Sequence, residues 1–167
     1  MALDGFVISN LVYELKNKLI NGRISKIYQP EKEELLIQVN NNKKTYKLSL
    51  SANATLPLVY ISETSKENPL NPPGFCMLLR KHLNNARIVD IEQPSLERII
   101  RFKIEHLDEL GDLSFKFLIV ELMGRHSNII FCNVEGKIMD SIKHVSHAVS
   151  SIREVLPGRM YFQPEAI

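Results

Sequence analysis

The side chains with the clearest capacity for chemistry lie in a charged segment just past the middle of the chain. Residues 80–103 include six basic and three acidic residues, although the whole chain carries a net charge of only +2. Within this segment Arg98 suits a phosphate or carboxylate partner, because a planar guanidinium donates two parallel hydrogen bonds. Strand-like alternation places Arg98 on the face of Ile100 and Phe102, where it opens an otherwise apolar row. The alternative is a strand-end arginine whose head simply reaches water.

A second group of hydrogen-bond donors lies in the segment GRHSN, residues 124–128, between two apolar strand-like runs where the chain must turn. Its side chains suit contacts to phosphate or sugar. With the basic residues above, the candidate nucleic-acid contacts are Arg80, Lys81, Arg101, Arg125, His126, Ser127 and Asn128. Two alternatives stay open. Gly124 and Asn128 could serve only the turn, and a mixed-charge segment is commonly a solvated face.

Known catalytic and metal-binding patterns are missing from the sequence. There is no P-loop, GxSxG, dinucleotide fingerprint or HExxH motif. Cys76 and Cys132 are far apart and belong to no CxxC or Cys/His cluster, so both are predicted to be buried thiols. His144 and His147 have no evident third ligand. The sequence therefore predicts a protein that is not an enzyme, with no catalytic residues, metal or cofactor.

The ends of the chain and its most apolar run bear on location. The N-terminal residues MALDGFVISNLVYEL have no basic region followed by a long apolar stretch, and the run FLIVELM is broken by Glu121. We therefore expect a soluble, cytosolic protein without membrane insertion. The last residues, FQPEAI, form no recognisable terminal element, which predicts that the chain is part of a longer protein.

The elements that must position these side chains follow from hydrophobic periodicity. After Asp4, a plausible N-cap, apolar residues from Ile8 to Leu19 recur at helical spacing until Gly22. A second helix is predicted with Pro73 in its first turn. Short alternating runs separated by turn residues fill the rest of the chain, too closely spaced for parallel crossovers, so we expect antiparallel strands. They are RISKIY, ELLIQV, YKLSL, PLVYIS, RIVDI, ERIIRFKI, LSFKFLIVEL, SNIIFC and KIMDSI.

The chain also carries an internal similarity at an offset of 64 residues. When residues 19–33 are set against 83–97, eight of fifteen positions are identical, where unrelated segments would share about one. Convergent turn chemistry at two helix-to-strand junctions is the alternative to duplication. Duplicated halves, about 1–64 and 65–150, predict an α+β fold in which two mainly antiparallel sheets pack as a β-sandwich with flanking helices.

Six segments, taken together and in this order, resemble the NFACT N-terminal domain of the bacterial RqcH family, also called fibronectin-binding protein A. They are DGFVISNLVYEL, NPPGFCMLLRKHL, IEQPSLERIIRF, ELMGRHSNIIF, DSIKHVS and REVLPG. The segment ELMGRHSNII is the most specific. The resemblance covers nearly the whole chain, so residues 1–167 are interpreted as one such domain. It implies a fold related to the N-terminal domain of formamidopyrimidine-DNA glycosylases, followed in the full protein by helical, coiled-coil and RNA-binding domains.

The resemblance also implies a function and a site. RqcH-like proteins bind large ribosomal subunits obstructed by peptidyl-tRNA and recruit alanyl-tRNA for untemplated alanine tailing, while the ribosome performs the peptidyl transfer. The family's functional Asp-Arg pair matches Glu97 and Arg98, in ERI where the usual pattern is DRI. The acid keeps its charge but is one methylene longer, so Arg98 is carried over more firmly than Glu97.

Two other functional classes follow from the same resemblance. A surface adhesin that binds fibronectin is suggested by the family's older name, although this chain carries no export signal or anchor. An enzyme similar to the DNA glycosylases would need their catalytic Pro-Glu start, whereas this chain begins Met1-Ala2-Leu3-Asp4. The preferred expectation is a tRNA- and ribosome-binding module.

Overall fold

The computed structural model describes residues 4–54, 57–62, 72–94, 97–148 and 153–164. Two α-helices, nine strands and one short 3-10 turn at Gly124–His126 are formed within these ranges. The helices are α1 (Gly5–Leu19) and α2 (Gly74–Leu83). The strands are β1 (Arg23–Glu31), β2 (Glu34–Asn41), β3 (Lys44–Ser51), β4 (Leu58–Ser62), β5 (Arg87–Glu92), β6 (Ile99–Leu107), β7 (Leu113–Glu121), β8 (Asn128–Asn133) and β9 (Ile138–Ser141).

Both helices form where the periodicity predicted them. The Asp4 carboxylate caps α1 by accepting a hydrogen bond of 2.9 Å from the Val7 amide, which satisfies one of the free donors at the helix start. Helix α2 starts without a side-chain cap, and Pro73 occupies its N-cap position rather than its first turn. Each helix buries one stripe of side chains at helical spacing. These residues are Ile8, Val12, Leu15, Leu19, Phe75, Cys76, Leu79 and Leu83.

The nine strands form one antiparallel sheet in the order β4-β3-β2-β1-β5-β6-β7-β8-β9. The predicted antiparallel strands are confirmed, whereas the predicted sandwich of two sheets is not. Strands β1 and β5, the first strand after each helix, pair with each other at Arg23 and Arg87, so the two halves continue as a single hydrogen-bonded sheet. The pairing satisfies backbone groups that would otherwise form two exposed strand edges. The relation to the glycosylase domain stays a prediction.

The junction between the halves repeats the sequence offset of 64 in its backbone geometry. The Asn21 amide donates to the Ile88 carbonyl at 2.8 Å, and the Asn85 amide donates to the Ile24 carbonyl at 2.9 Å. Asn21 and Asn85 both adopt left-handed backbone conformations, with φ of 70° and 63°. Strand register shifts after Ile24 and again after Ile88. These contacts match the offset, while duplication of the halves stays a prediction.

Each helix crosses to the other half of the sheet. Helix α1 packs against β5 and α2 against β1, and inward side chains from both halves share one core with the two helices. A smaller cluster forms on the opposite face of β6 to β9, where it is covered by the segment around Val155. Cys76 and Cys132 are free thiols buried within these clusters, as predicted. Neither helix of the described chain is long and apolar enough to cross a membrane.

Candidate nucleic-acid interface

Glu97 and Arg98 form a bend immediately before β6. The Arg98 carbonyl accepts a hydrogen bond of 2.9 Å from the Leu122 amide, which fixes the backbone of the bend against the end of β7. The Arg98 side chain is exposed, and among the described residues its guanidinium forms no ion pair or hydrogen bond. Sequence alternation placed Arg98 inside the strand, whereas the structure places it one residue before β6. Its head is therefore available to a partner.

Gln93 holds this bend beside the start of α1. Its Nε2 donates to the Glu97 carbonyl at 2.8 Å and to the Gly5 carbonyl at 2.9 Å. One amide group thus joins the bend to the first turn of α1. Phe6, the next residue of that turn, leaves 70% of its surface exposed. The bend that carries Arg98 is therefore joined to a capped helix whose first turn exposes an aromatic ring.

The GRHSN segment divides into surface and internal residues. Ser127 and Asn128 are 1% and 2% exposed. The Ser127 hydroxyl accepts from the Met123 amide at 2.8 Å, and the Asn128 amide group donates to the Lys143 carbonyl at 3.0 Å. Their side chains therefore form the turn, which agrees with the structural alternative and corrects their interpretation as nucleic-acid contacts. Arg125 is exposed.

The exposed part of this turn lies at the same end of the sheet as Arg98. Ile99 pairs with Glu121 where β6 begins and β7 ends, and the turn at Gly124–His126 starts three residues after Glu121. Arg125 and His126 are both exposed, with the Arg125 Nε donating to the His126 ring nitrogen at 3.4 Å. The fold thus brings Arg98, Arg125 and His126 to one end of β6 and β7, although they are far apart in sequence. We call this group the basic edge.

The remaining predicted contacts are largely engaged elsewhere. The Arg80 Nε donates to the Ile27 carbonyl at 2.7 Å, and its guanidinium lies 5.5 Å from the centre of the Tyr28 ring. Arg101 forms an ion pair of 3.0 Å with Glu92. These bonds hold α2 on β1 and β6 on β5, so Arg80 and Arg101 act first as structural groups. Lys81 is exposed on α2, and no described contact joins it to the basic edge.

A buried ion pair beneath the basic edge escaped the sequence analysis. Glu121, at the end of β7, is fully buried and pairs with Arg153, and it accepts a hydrogen bond of 2.7 Å from the Tyr161 hydroxyl. Burial, with the Glu121 charge, raises the pKa of Tyr161. This contact fastens the segment around residues 153–161 to the strand that supports Arg98. Its only sequence signal was a glutamate interrupting an apolar run.

The described residues contain no group of three or more histidine, cysteine, aspartate or glutamate side chains able to hold a metal ion. The exposed histidines outside the basic edge pair singly with acids. His144 lies 2.6 Å from Asp140, and His147 lies 2.7 Å from Glu154. The available chemistry at the basic edge is hydrogen bonding and charge, which suits recognition of phosphate groups.

Comparisons with known proteins find relatives that match nearly the whole chain. A family model described as NFACT N-terminal and middle domains matches residues 4–167. The chain is 44% identical to the Rqc2 homolog RqcH of Bacillus subtilis over 167 residues, which covers 99% of this chain and 29% of that protein. It is 33% identical to Ribosome quality control complex subunit 2 of Saccharomyces cerevisiae over 129 residues, or 77% of this chain and 12% of that protein. The chain thus spans less than a third of these relatives.

Solved structures with the same fold are also similar in sequence. The N-terminal domain of the fibronectin-binding protein PavA from Streptococcus pneumoniae superposes with a TM-score of 0.95 at 40% identity, over 99% of this chain and 63% of that one. The fibrinogen-binding protein from Staphylococcus aureus gives a TM-score of 0.87 at 32% identity, over 99% of this chain and 57% of that one. Both matches extend over both halves of the chain.

Proposed function

Because the chain belongs to the NFACT N-terminal domain family, as its sequence resemblance predicted, we propose that it is the tRNA- and ribosome-binding module of a ribosome-associated quality control factor. The full protein binds large ribosomal subunits that still carry peptidyl-tRNA and recruits alanyl-tRNA for C-terminal alanine tailing. It works in the cytoplasm on the ribosome. The module itself is not an enzyme, since the ribosome performs the peptidyl transfer.

The observation that carries this proposal is the exposed guanidinium of Arg98, which has no partner among the described residues and stands on a fixed backbone. Its carbonyl is tied to Leu122, and Gln93 ties the preceding carbonyl to α1, so little backbone entropy is lost when a partner binds. An exposed arginine on a fixed backbone can bind a phosphate through two parallel hydrogen bonds. Arg125 and His126 add donors at the same edge, which supports a phosphate-rich partner.

The part played by Glu97 differs from that of Arg98. In the described residues no ion pair joins the Glu97 carboxylate to the Arg98 guanidinium, and its backbone carbonyl is the group that Gln93 binds. We infer that the carboxylate acts on the tRNA, as an acceptor for a base amino group or a ribose hydroxyl. Glu97→Gln keeps one such acceptor, so it should weaken tRNA binding less than Arg98→Ala does.

The test is recovery of tRNA and large subunits with the full-length protein carrying Arg98→Ala or Arg98→Lys. Loss of a charge-assisted hydrogen bond is worth about 1.5–3 kcal/mol, or roughly a ten- to hundredfold weaker tRNA affinity. Lysine should rescue only in part, because an ammonium lacks the planar fork. The matched control is Arg159→Ala, which removes another arginine with 61% of its side chain exposed.

Three results bear on the proposal. Wild type and Arg159→Ala should sediment with large subunits and lose that association as salt rises, because phosphate contacts depend on ionic strength. Arg98→Ala should melt at the wild-type temperature while it recovers less tRNA. Unchanged recovery, or a melting temperature that falls in step with recovery, would mean that Arg98 is not the tRNA contact.

Fibronectin binding is a second candidate, favoured by the description of the Streptococcus pneumoniae relative as a fibronectin-binding protein. A solid-phase assay with immobilised fibronectin distinguishes the two functions. Under our preferred proposal, binding to fibronectin is weak and unaffected by Arg98→Ala. Tight, saturable binding together with absence from ribosome fractions would favour the adhesin function instead.

A further inference from the structure

Three basic side chains converge at the end of β6 and β7 that lies opposite the basic edge. His106 is on β6, Lys116 is on β7 and His82 is on α2. The Lys116 Nζ lies 3.1 Å from the His106 Nε2, and the ring centres of His82 and His106 are 6.3 Å apart. We call these residues the basic triad. A strand advances about 3.3 Å per residue, so the triad is more than 20 Å from Arg98, on the order of eight residues along β6.

The basic triad continues the inner, core-facing row of the sheet. Phe102 and Ile104 are buried on this face of β6, and His106 follows two residues later at only 9% exposed. The His82 ring lies 5.9 Å from the ring of Phe131, a core residue of β8. The triad therefore sits where the core beneath α2 meets solvent, half-buried and partly desolvated. Polar groups interact more strongly in such surroundings than on an open surface.

The basic triad lacks a directly bound counterion in the described part of the chain. Among the described residues, none of its three side chains forms an ion pair, and Lys116 donates only to His106 and, at 3.5 Å, to Ser114. Lys81 adds a further positive charge, and the nearby acids are Asp108 and Glu109. The Asp108 carboxylate already accepts hydrogen bonds of 2.9 Å from two backbone amides of the β6–β7 turn.

We propose that the basic triad is a binding site for a phosphate group or another tetrahedral oxyanion. Lys116 and the two imidazoles supply nitrogen donors from three different elements, with the Lys116 Nζ 3.1 Å from the His106 Nε2 and the two ring centres 6.3 Å apart. In the neutral tautomer whose Nδ1 donates to the Leu107 carbonyl, the His106 ring accepts from Lys116 through Nε2. When His106 takes up a proton, Nε2 becomes a donor, and an oxyanion can accept from both groups at once. The anion supplies a direct counterion, which neither Asp108 nor Glu109 provides in the described contacts.

Protonation gives the site a directional pH dependence. Burial, followed by the Lys116 charge, lowers the pKa of His82 and of His106, and burial lowers the pKa of Lys116. A bound anion favours the charged imidazoles and so raises both histidine pKa values. Anion binding therefore takes up protons, and the affinity for the anion rises as the pH falls through the ordinary histidine pKa of about 6.5. Sulfate keeps its charge throughout this range, so any pH dependence of sulfate binding belongs to the protein.

The experiment is an imidazole ¹H–¹⁵N NMR titration of this chain with sodium sulfate and then with inorganic phosphate at constant ionic strength. We expect saturable shifts of the His82 and His106 rings, with higher pKa values in the bound form. His144 and His147, each paired with an acid, are internal references. An absence of saturable shifts at His82 and His106, or equal shifts at all four rings, would overturn the proposal.

Substitutions of lysine distinguish a specific oxyanion site from a general attraction of anions to a positively charged surface. Lys116→Met should weaken sulfate binding by roughly tenfold or more, because it removes a charge-assisted donor. Lys103→Met is the matched control, since Lys103 lies on the other face of β6 with its Nζ 4.7 Å from the Phe115 ring centre. If Lys116→Met does not fold, His82→Gln tests the same loss on a helix. Equal weakening by the control and the triad variant would contradict a specific site.

The phosphate could belong to RNA or to a small molecule, and a further titration distinguishes these sources. A short RNA duplex that shifts the His82 and His106 rings and is displaced by sulfate identifies a backbone phosphate. Shifts with inorganic phosphate but none with RNA identify a free phosphate or a phosphorylated metabolite. Both outcomes support an oxyanion site. If RNA shifts these rings and sulfate does not reverse the shifts, the RNA binds elsewhere on the protein. That result would count against occupation of the triad by a backbone phosphate.

Discussion

Replacement of Glu121 by glutamine should destabilise the protein strongly, although it changes only one group. The carboxylate is fully buried, pairs with Arg153 and accepts from the Tyr161 hydroxyl. Glutamine keeps the shape but removes the charge, so the guanidinium loses its counterion. Removal of one partner from a buried ion pair costs about 3–5 kcal/mol. Because 19% of the Arg153 side chain remains exposed, we expect a loss near the lower end, about 3 kcal/mol.

This loss is measurable by urea unfolding followed by far-ultraviolet circular dichroism. For a domain of this size, 1 kcal/mol corresponds to roughly 2–4 °C in Tm, so the melting temperature should fall by about 6–12 °C. Tyr161→Phe is the matched control, because it removes one hydrogen bond to the same carboxylate but leaves the ion pair, and it should cost about 1.5 kcal/mol, the lower end of the range for a bond to a charged group. The slope of unfolding free energy against urea should not change.

The result that would refute this reasoning is a Glu121→Gln protein within about 0.5 kcal/mol of wild type, the range of an ordinary surface substitution. Such a result would mean that water reaches the Arg153 guanidinium or that the segment around residues 153–161 is held by other contacts. A double variant, Glu121→Gln with Arg153→Leu, should recover part of the loss, since it removes the unpaired charge as well.

Three further predictions follow from burial and from the sequence. Cys132, whose pKa is raised by burial to about 12, and buried Cys76 should react with a thiol reagent only after denaturation, which colorimetric titration with and without urea checks. Because the pKa of Tyr161 is raised in the fold, its stabilising contribution should be complete below about pH 10 and decline above it, so unfolding free energies should fall more steeply there in wild type than in Tyr161→Phe. The purified protein should not cleave duplex DNA containing an oxidised purine, and strand scission on a denaturing gel would contradict that expectation.

Local patterns predicted the helices and strands because each pattern reports on its own element. The Asp4 cap and the apolar spacing from Ile8 to Leu19 define α1 without any distant contact. The joining of the halves is a long-range property. Alternation tells which face of a strand is buried, but it does not tell that Arg23 will pair with Arg87. The sequence therefore predicted that the strands are antiparallel, but it could not predict that they form one continuous sheet.

The candidate site was predictable to a similar extent. Arg98 stood out because a lone arginine opened an apolar row. Its side chain is exposed in the structure, so a role in binding stays a prediction that the fold permits. Ser127 and Asn128 were ambiguous because turn residues and ligand contacts use the same polar groups. The partner of Glu121 is Arg153, 32 residues away along the chain. No local sequence pattern could therefore show that the Glu121 charge is paired.

The offset of 64 shows how Arg98 becomes exposed on a frame that otherwise repeats. Its offset partner in the first half, Glu34, begins β2 and pairs with Glu31 across a tight turn. In the second half β5 already ends at Glu92, so the strand pair opens earlier and β6 begins only at Ile99. Arg98 therefore lies outside the ladder that holds its counterpart, Glu34. The Arg98 carbonyl stays bonded to Leu122 while the side chain turns outward. A shift in where one strand pair ends thus leaves an exposed side chain at a position that belongs to the ladder in the first half.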